Sequence, residues 1–439
     1  MNKSIELKDL ASFKEAHDQN FKGAEKHAAT NVGVLKASVD QEILRDNPNV
    51  FKTELKPGSI TDQKKSGRCW MYASLNMLRV DMIKRWNLKD FTFSHGYLYF
   101  FDKLERANAY LENVIELKDK DLEDRLNHIV VFHAMEDGGW WSTFVRLVEK
   151  YGIVPDYAYQ DPANVKKTDE FVELLSKRLK KGAKDIREAH KAGKSEEELV
   201  AIKDACMEDI FRMDAIAMGI PPRTFDLILR DKDDKLIEKR GMTPMEFYEE
   251  YVKEDLEQYV EIAHMPVEGK KLNTLYVRPY MKLPVEFEGI QYLSVSGERL
   301  KEITKKMIEG GTPVWFGADV GQESLIDDEG NGTLAEGVLN MDGMFRFDST
   351  IDKGDALSLQ HSTPTHAMVF QGFDEGENHL RWKVENSWGD KRGSKGYLVM
   401  DDKWFDRYVY EIVAKKSYLN DEEKKALEQE PITLMPWEF

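Results

Sequence analysis

The chain has 439 residues, of which 41% are hydrophobic and 33% are charged. This composition is typical of a globular protein, and the length suits several domains or one core with large insertions. The formal net charge of −17 repels phosphate backbones, so we expect no nucleic-acid partner. Two cysteines are too few for a disulfide framework. No apolar run approaches the roughly 18 residues of a membrane span, so we expect no membrane partner.

The first half of the chain is predicted to be mainly helical. Residues 1–60 are interpreted as an N-terminal arm, in which charges recur without the apolar stretch of a signal peptide, so we expect a cytoplasmic protein. Residues 61–164 are interpreted as a helical lobe because apolar residues recur there at three-to-four spacing. The predicted helices of this lobe cover residues 69–86, 94–115 and 140–151.

Residues 165–270 differ from their surroundings because they are highly charged and poor in β-branched runs. Ser195 and Glu198 form a capping box ahead of an apolar stripe, which is typical of an amphipathic helix. Thr243 and Pro244 indicate the start of another helix, with threonine as the cap and proline at the first helical position. We interpret this segment as an inserted helical module.

From residue 271 onward the pattern favours strands. Short β-favouring runs are bounded by Gly, Asp or Asn, which predicts an antiparallel sheet; they lie at residues 313–316, 367–370, 380–384 and 396–400. We interpret residues 271–420 as a β-rich lobe and residues 421–439 as a C-terminal arm. The predicted fold class is therefore α+β, with a helical lobe, an antiparallel sheet lobe and an inserted helical module.

The strongest chemical signal is the run from Gln63 to Trp70, QKKSGRCW. Cys69 opens a predicted helix, and the positive end of the helix dipole stabilises the thiolate, which is the nucleophilic form. Gln63 lies on the incoming loop, where its amide can join the Cys69 backbone N–H in binding an oxyanion. The other cysteine, Cys206, lies on an apolar helical stripe and is interpreted as a buried small hydrophobic residue.

Two later motifs supply a base and a group to orient it. His366 begins a β run, whereas the nearest competitor, His361, lies in a polar loop. Asn386 follows His366 by twenty residues, one hairpin away, and its side-chain oxygen can accept a hydrogen bond from the imidazole. Trp388 is placed to shield that bond from water. Taken alone, an asparagine before Ser-Trp-Gly is more often a turn residue.

A glycine pair in Asp137-Gly138-Gly139-Trp140 is the fourth signal. Gly138 and Gly139 permit a substrate backbone to approach closely, although, taken alone, such a pair is more often a plain loop before a helix. The sequence has no His-x-x-x-His or Cys-x-x-Cys spacing, so we expect no metal and no cofactor.

In this order, these motifs resemble the papain superfamily of cysteine peptidases. Longer runs are similar to the bleomycin hydrolase and bacterial aminopeptidase C family; they lie at residues 61–70, 101–108, 147–152, 313–317 and 384–389. The resemblance implies peptide substrates and a papain-like fold, with Cys69 as nucleophile, His366 as acid and base, and Asn386 as orienting residue. It also implies a cytosolic homohexamer whose C-terminal arm lies in the cleft and limits cleavage to N-terminal residues.

The C-terminal arm departs from the family pattern. The chain stops at Phe439, where family aminopeptidases usually continue for several small residues. A terminal carboxylate can pair with a substrate α-ammonium, which makes Phe439 a candidate substrate-binding residue. Because the arm is short, we expect cleavage inside oligopeptides alongside or instead of single-residue trimming. The alternatives are a strict aminopeptidase, cysteine acyl transfer such as transamidation, and an inactive scaffold or binding particle on the same fold.

Overall fold

The structure is a computed structural model, which describes residues 4–20, 23–281, 283–377 and 379–439. In chain order the helices are α1 Leu7–Asn20, α2 Ala24–Val32, α3 Val34–Ala37, α4 Gln41–Asp46, α5 Cys69–Arg85, α6 His95–Glu116, α7 Arg125–Phe132, α8 Trp141–Tyr151, α9 Ala163–Lys166, α10 Asp169–Lys191, α11 Glu196–Met218, α12 Pro244–Phe247, α13 Gly297–Glu309, α14 Met341–Phe345, α15 Lys353–Ser358, α16 Asp402–Tyr408 and α17 Asp421–Leu427. The strands are β1 Thr53–Glu54, β2 Phe225–Arg230, β3 Leu236–Met242, β4 Tyr259–Ala263, β5 Thr274–Arg278, β6 Ile290–Ser294, β7 Val314–Ala318, β8 Ser324–Ile326, β9 Gly332–Leu334, β10 His366–Glu375, β11 Leu380–Glu385, β12 Tyr397–Asp401, β13 Val409–Lys415 and β14 Ile432–Thr433.

Helix α5 is the central element of the helical lobe. It begins at Cys69, and almost every side chain from Trp70 to Ile83 is buried. One side of α5 packs against α6 and α8, and the other packs against strands β7 and β10 of the sheet lobe. The N-terminus of α5 therefore lies where the two lobes meet, and the helix predicted from residue 69 is confirmed.

The sheet lobe is built on one large sheet with the strand order β14-β5-β6-β4-β13-β7-β10-β11-β12-β9-β8, and β1 also pairs with β10. The predicted runs correspond to β7, β10, β11 and β12. The predicted antiparallel pairing is confirmed for these four strands. The sheet also contains three parallel pairs that were not predicted, β4–β6, β12–β9 and β14–β5. Parallel neighbours require long connections, which local sequence patterns do not reveal.

The segment 165–270 is only partly helical. Helices α10 and α11 pack on each other and on α6, and the predicted capping box of Ser195 and Glu198 opens α11. The prediction of an all-helical segment is wrong for β2 and β3, which form a separate hairpin, and for β4, which joins the main sheet. Strand β3 is mostly solvent-exposed and charged, which hides the alternation by which a strand is usually recognised.

The two ends of the chain are attached differently. Helix α1 buries none of its residues, and Leu7, Leu10 and Phe13 on it are exposed. At the other end β14 pairs with β5, and the Leu434 N–H donates to the Val277 carbonyl at 2.8 Å. Among the described residues, no helix is both long and apolar enough to cross a membrane.

Candidate active site

Cys69 and His366 lie across the junction of the two lobes and line the same cavity of about 450 Å³. Burial alone would raise the pKa of the Cys69 thiol. Electrostatic attraction and a hydrogen bond to His366, together with hydrogen bonds from the backbone N–H groups of Ala367 and Trp70, outweigh burial, so the pKa is lowered overall. Burial would lower the pKa of His366, but Cys69 and Asn386 raise it overall. Both shifts favour a thiolate–imidazolium pair.

Asn386 fixes the orientation of the imidazole. His366 Nε2 lies 2.9 Å from Asn386 Oδ1, which also accepts the Ser387 backbone N–H at 2.8 Å. An amide oxygen only accepts, so Nε2 carries a proton and Nδ1 is left for the thiol. The Trp388 ring lies 4.8 Å from the imidazole, centroid to centroid, and its role in shielding this bond from water remains a prediction.

A buried ion pair connects the cysteine helix to the asparagine strand. Arg79, on α5, donates to Glu385 Oε1 at 2.5 Å, and Gln371 donates to Glu385 Oε2 at 2.6 Å. Glu385 is the last residue of β11 and directly precedes Asn386. Sequence reasoning missed this pair; a charged residue in an otherwise apolar stretch of α5 was its only signal.

The Gln63 amide is held from both sides. Its Nε2 donates to the Ser66 carbonyl at 2.6 Å, and its Oε1 accepts the Ser387 hydroxyl at 2.7 Å. The Gln63 backbone N–H also donates to the Ser387 carbonyl at 2.8 Å. An amide nitrogen has two hydrogens, so one remains uncommitted. This arrangement suits an oxyanion donor, and the role of Gln63 remains a prediction.

Asp137 bonds the loop before the cysteine and the first turn of α5 after it, and sequence reasoning did not single it out. Burial would raise its pKa, but the Lys103 ammonium and several hydrogen bonds hold the pKa well below its usual range. Its backbone carbonyl accepts a hydrogen bond from Trp70 Nε1 at 2.8 Å. Its carboxylate accepts four more, from Gly67 N–H at 3.2 Å, Tyr99 OH at 2.8 Å, Lys103 Nζ at 2.9 Å and Thr168 OH. Asp137 therefore stabilises the turn into α5.

The two glycines after Asp137 both line the cavity, but for different reasons. A Cβ at Gly139 would come within 2.6 Å of the Trp70 ring, so glycine is required for packing. A Cβ at Gly138 would meet nothing within 4 Å, so there is open space beside this residue, although its carbonyl accepts from Arg106. The geometry thus supports Gly138 more directly than Gly139 as a substrate contact.

Comparison with known proteins agrees with this site. Residues 4–439 match the model of the Peptidase C1-like family. The chain belongs to this family. Aminopeptidase C of Lactobacillus delbrueckii subsp. lactis is 37% identical, with 95% of this chain and 93% of the relative covered. Aminopeptidase E of Lactobacillus helveticus is 37% identical, with 99% of each chain covered.

A solved structure shows the same fold as this C1-like peptidase. The crystal structure of pepw from "lactobacillus rhamnosis hn001" superposes with a TM-score of 0.97 at 33% identity, covering 100% of this chain and 98% of the other. The protein is thus a cysteine-type peptidase with an α+β, papain-like fold.

The C-terminal arm of the peptidase reaches the cavity, but through an unexpected residue. Pro436 lines the cavity that contains Cys69, whereas Phe439 packs against an apolar cluster of the sheet lobe. Arg278 lies 6.0 Å from the Phe439 ring, and Trp437 packs under Arg125 at 4.1 Å in the helical lobe. The ring of Phe439 is thus held among apolar side chains, and its role in substrate binding remains a prediction.

The two candidates set aside in the sequence lie away from the cavity of the peptidase. Cys206 is fully buried in α11, and burial raises the pKa of its thiol, which leaves it unreactive. His361 is exposed in the loop after α15. Cys69 and His366 therefore remain the residues that the cavity brings together.

Proposed function

We propose that this chain is an intracellular cysteine peptidase of the aminopeptidase C type, which hydrolyses peptides through a thioester acyl-enzyme. The arrangement of Cys69, His366 and Asn386 carries the proposal, because it joins an activated thiol to an oriented base. The names of the relatives support the aminopeptidase type. Both cysteines are free thiols, which suits a reducing compartment such as the cytoplasm.

The reaction follows from the positions of these groups. The Cys69 thiolate attacks the peptide carbonyl, and the oxyanion is held by the Cys69 backbone N–H and the free hydrogen of the Gln63 amide. The His366 imidazolium then protonates the leaving amine, which gives a thioester. Water attacks the thioester while His366 takes its proton, and the acid product leaves as the thiolate re-forms.

We also propose that the enzyme cleaves inside oligopeptides as well as at their N-terminus. A strict aminopeptidase needs a group that blocks the cleft beyond the first residue and receives the α-ammonium. Here Phe439 packs against an apolar cluster of the sheet lobe, and Pro436 is the part of the arm that borders the cavity. This placement supports a cleft that accepts a longer chain on this side.

Digestion of one defined ten-residue peptide, with a free and with an acetylated N-terminus, tests this proposal by mass spectrometry. The proposal predicts internal fragments from both peptides. Loss of single N-terminal residues only, with the acetylated peptide intact, would identify a strict aminopeptidase. Extension of the arm by four small residues should suppress internal cleavage if the cleft is open.

Finally, we propose that the protein is a homohexamer, as the family resemblance implies. Helix α1 supports assembly because it buries none of its own residues and exposes Leu7, Leu10 and Phe13. An apolar helix face of this kind marks an interaction surface. The family resemblance implies that the partner of this face of α1 is a second copy of the chain.

A further inference from the structure

A buried carboxylate with no partner among the described residues lies in the active-site cavity. Glu411 is 4% exposed and lines the same cavity as Cys69 and His366. Within the described residues it makes neither a hydrogen bond nor an ion pair. A buried carboxylate without either is costly, so its retention needs a reason other than stability.

The sheet register places Glu411 close to the reacting groups. Gly317 pairs with Glu411 on one side and with Ala367, the neighbour of His366, on the other. Directly opposed residues share one face of a sheet, and neighbouring strands are about 4.8 Å apart. A Cβ at Gly317 would come within 2.4 Å of Glu411 Oε1, so glycine at this position leaves room for the carboxylate beside the cavity.

A second buried carboxylate, Glu261, interacts electrostatically with Glu411. Glu261, on β4, is 3% exposed and opposes Val413, two residues beyond Glu411 on β13. Its Oε1 accepts the Ser142 N–H in the first turn of α8 at 2.6 Å, while its Oε2 has no hydrogen-bond partner. Burial and the charge of Glu411 raise the pKa of Glu261, and burial raises the pKa of Glu411.

The Arg278 cation does not satisfy this pair. Arg278, on β5, lowers the pKa of both carboxyl groups electrostatically, but within the described part of the chain it forms no ion pair with either. Its guanidinium instead lies near the rings of Tyr292 and Phe439, at 5.9 and 6.0 Å. The cavity thus offers an acceptor for a positive charge that none of the described side chains neutralises.

We propose that Glu411, backed by Glu261, binds a cationic nitrogen of the peptide substrate. The proposal rests on the proposed peptidase function and makes Glu411 its specificity-determining residue. The cationic nitrogen has two possible sources, the α-ammonium of a free N-terminus or the side chain of a lysine that precedes the cleaved residue. Either would form charge-assisted hydrogen bonds with the carboxylate and would leave the site neutral or nearly so.

Two pairs of aminomethylcoumarin amides test this role and separate the sources. Alanyl and acetyl-alanyl amides differ in the α-ammonium, whereas acetyl-lysyl-alanyl and acetyl-norleucyl-alanyl amides differ in the side-chain ammonium. The measured quantity is the ratio of kcat/KM within each pair. Glu411→Gln removes the charge at nearly constant volume, and Glu428→Gln is the control, since it removes one charge from an exposed residue.

The proposal predicts that Glu411→Gln lowers the charged-to-neutral ratio about tenfold in at least one pair, mostly through KM, as expected for one charge-assisted hydrogen bond. The affected pair identifies the source of the nitrogen. Glu428→Gln should leave both ratios unchanged. A ratio that stays within about twofold in both pairs would overturn the proposal.

The same ratios of kcat/KM measured on the wild-type enzyme provide a second test, which does not depend on the folding of a variant. It should prefer the charged member of at least one pair, and equal rates in both pairs would contradict the role of Glu411. Failure of the wild type to cleave any of the four amides would instead refute the proposed function, so the two failures are distinguishable.

Discussion

His366 Nε2 lies 2.9 Å from Asn386 Oδ1, at the start of one strand and just beyond the end of its neighbour. The bond assigns the proton to Nε2 and directs Nδ1 toward Cys69. Because Asn386 is neutral, it orients the imidazole and raises its pKa without competing with the thiolate for the positive charge. This one contact therefore places the imidazole between the amide of Asn386 and the thiol of Cys69.

The pH dependence of kcat/KM should be bell-shaped. Activity is lost as pH falls through the lowered pKa of Cys69, because the thiolate is protonated. Activity is also lost as pH rises through the raised pKa of His366, because the imidazolium that protonates the leaving amine disappears. Asn386→Ala removes one interaction that raises the His366 pKa, so the alkaline limb should move to lower pH. An unshifted alkaline limb in this variant would contradict the assigned role of Asn386.

Replacement of Gln63 tests the oxyanion donor. Gln63→Ala should lower kcat by about 10²–10³, the usual effect of losing one such donor. Because Gln63 also bonds Ser66 and Ser387, the thermal unfolding curve of the variant must be recorded beside its kinetics. A decrease in kcat of less than about threefold in a folded variant would make Gln63 a loop residue only.

Light scattering tests the assembly. The wild type should scatter as a particle of six chains, and a double variant with Leu10→Asp and Phe13→Asp should dissociate because it places charge on the exposed apolar face of α1. Lys8→Asp, on the same helix, changes the net charge equally and should leave the particle intact. A wild-type monomer at micromolar concentration would remove the proposed assembly without affecting the mechanism.

Local sequence patterns predicted the parts of the site that depend on local structure. The helix that begins at Cys69 and the strand that begins at His366 were both expected. Asp137 and the Arg79–Glu385 pair were not, because their partners lie 31 to 306 residues away in the chain. The parallel strand pairs were not predicted for the same reason, since long-range packing decides them.

Peptide hydrolysis by Cys69→Ala, with Cys206→Ala as the matched control, tests whether Cys69 is the nucleophile. Cys69→Ala should abolish hydrolysis, while Cys206→Ala should retain it. In the wild type, iodoacetamide should label Cys69 far faster than Cys206, because the pKa of Cys69 is lowered and that of Cys206 is raised. Hydrolysis that persists in folded Cys69→Ala protein would contradict the mechanism.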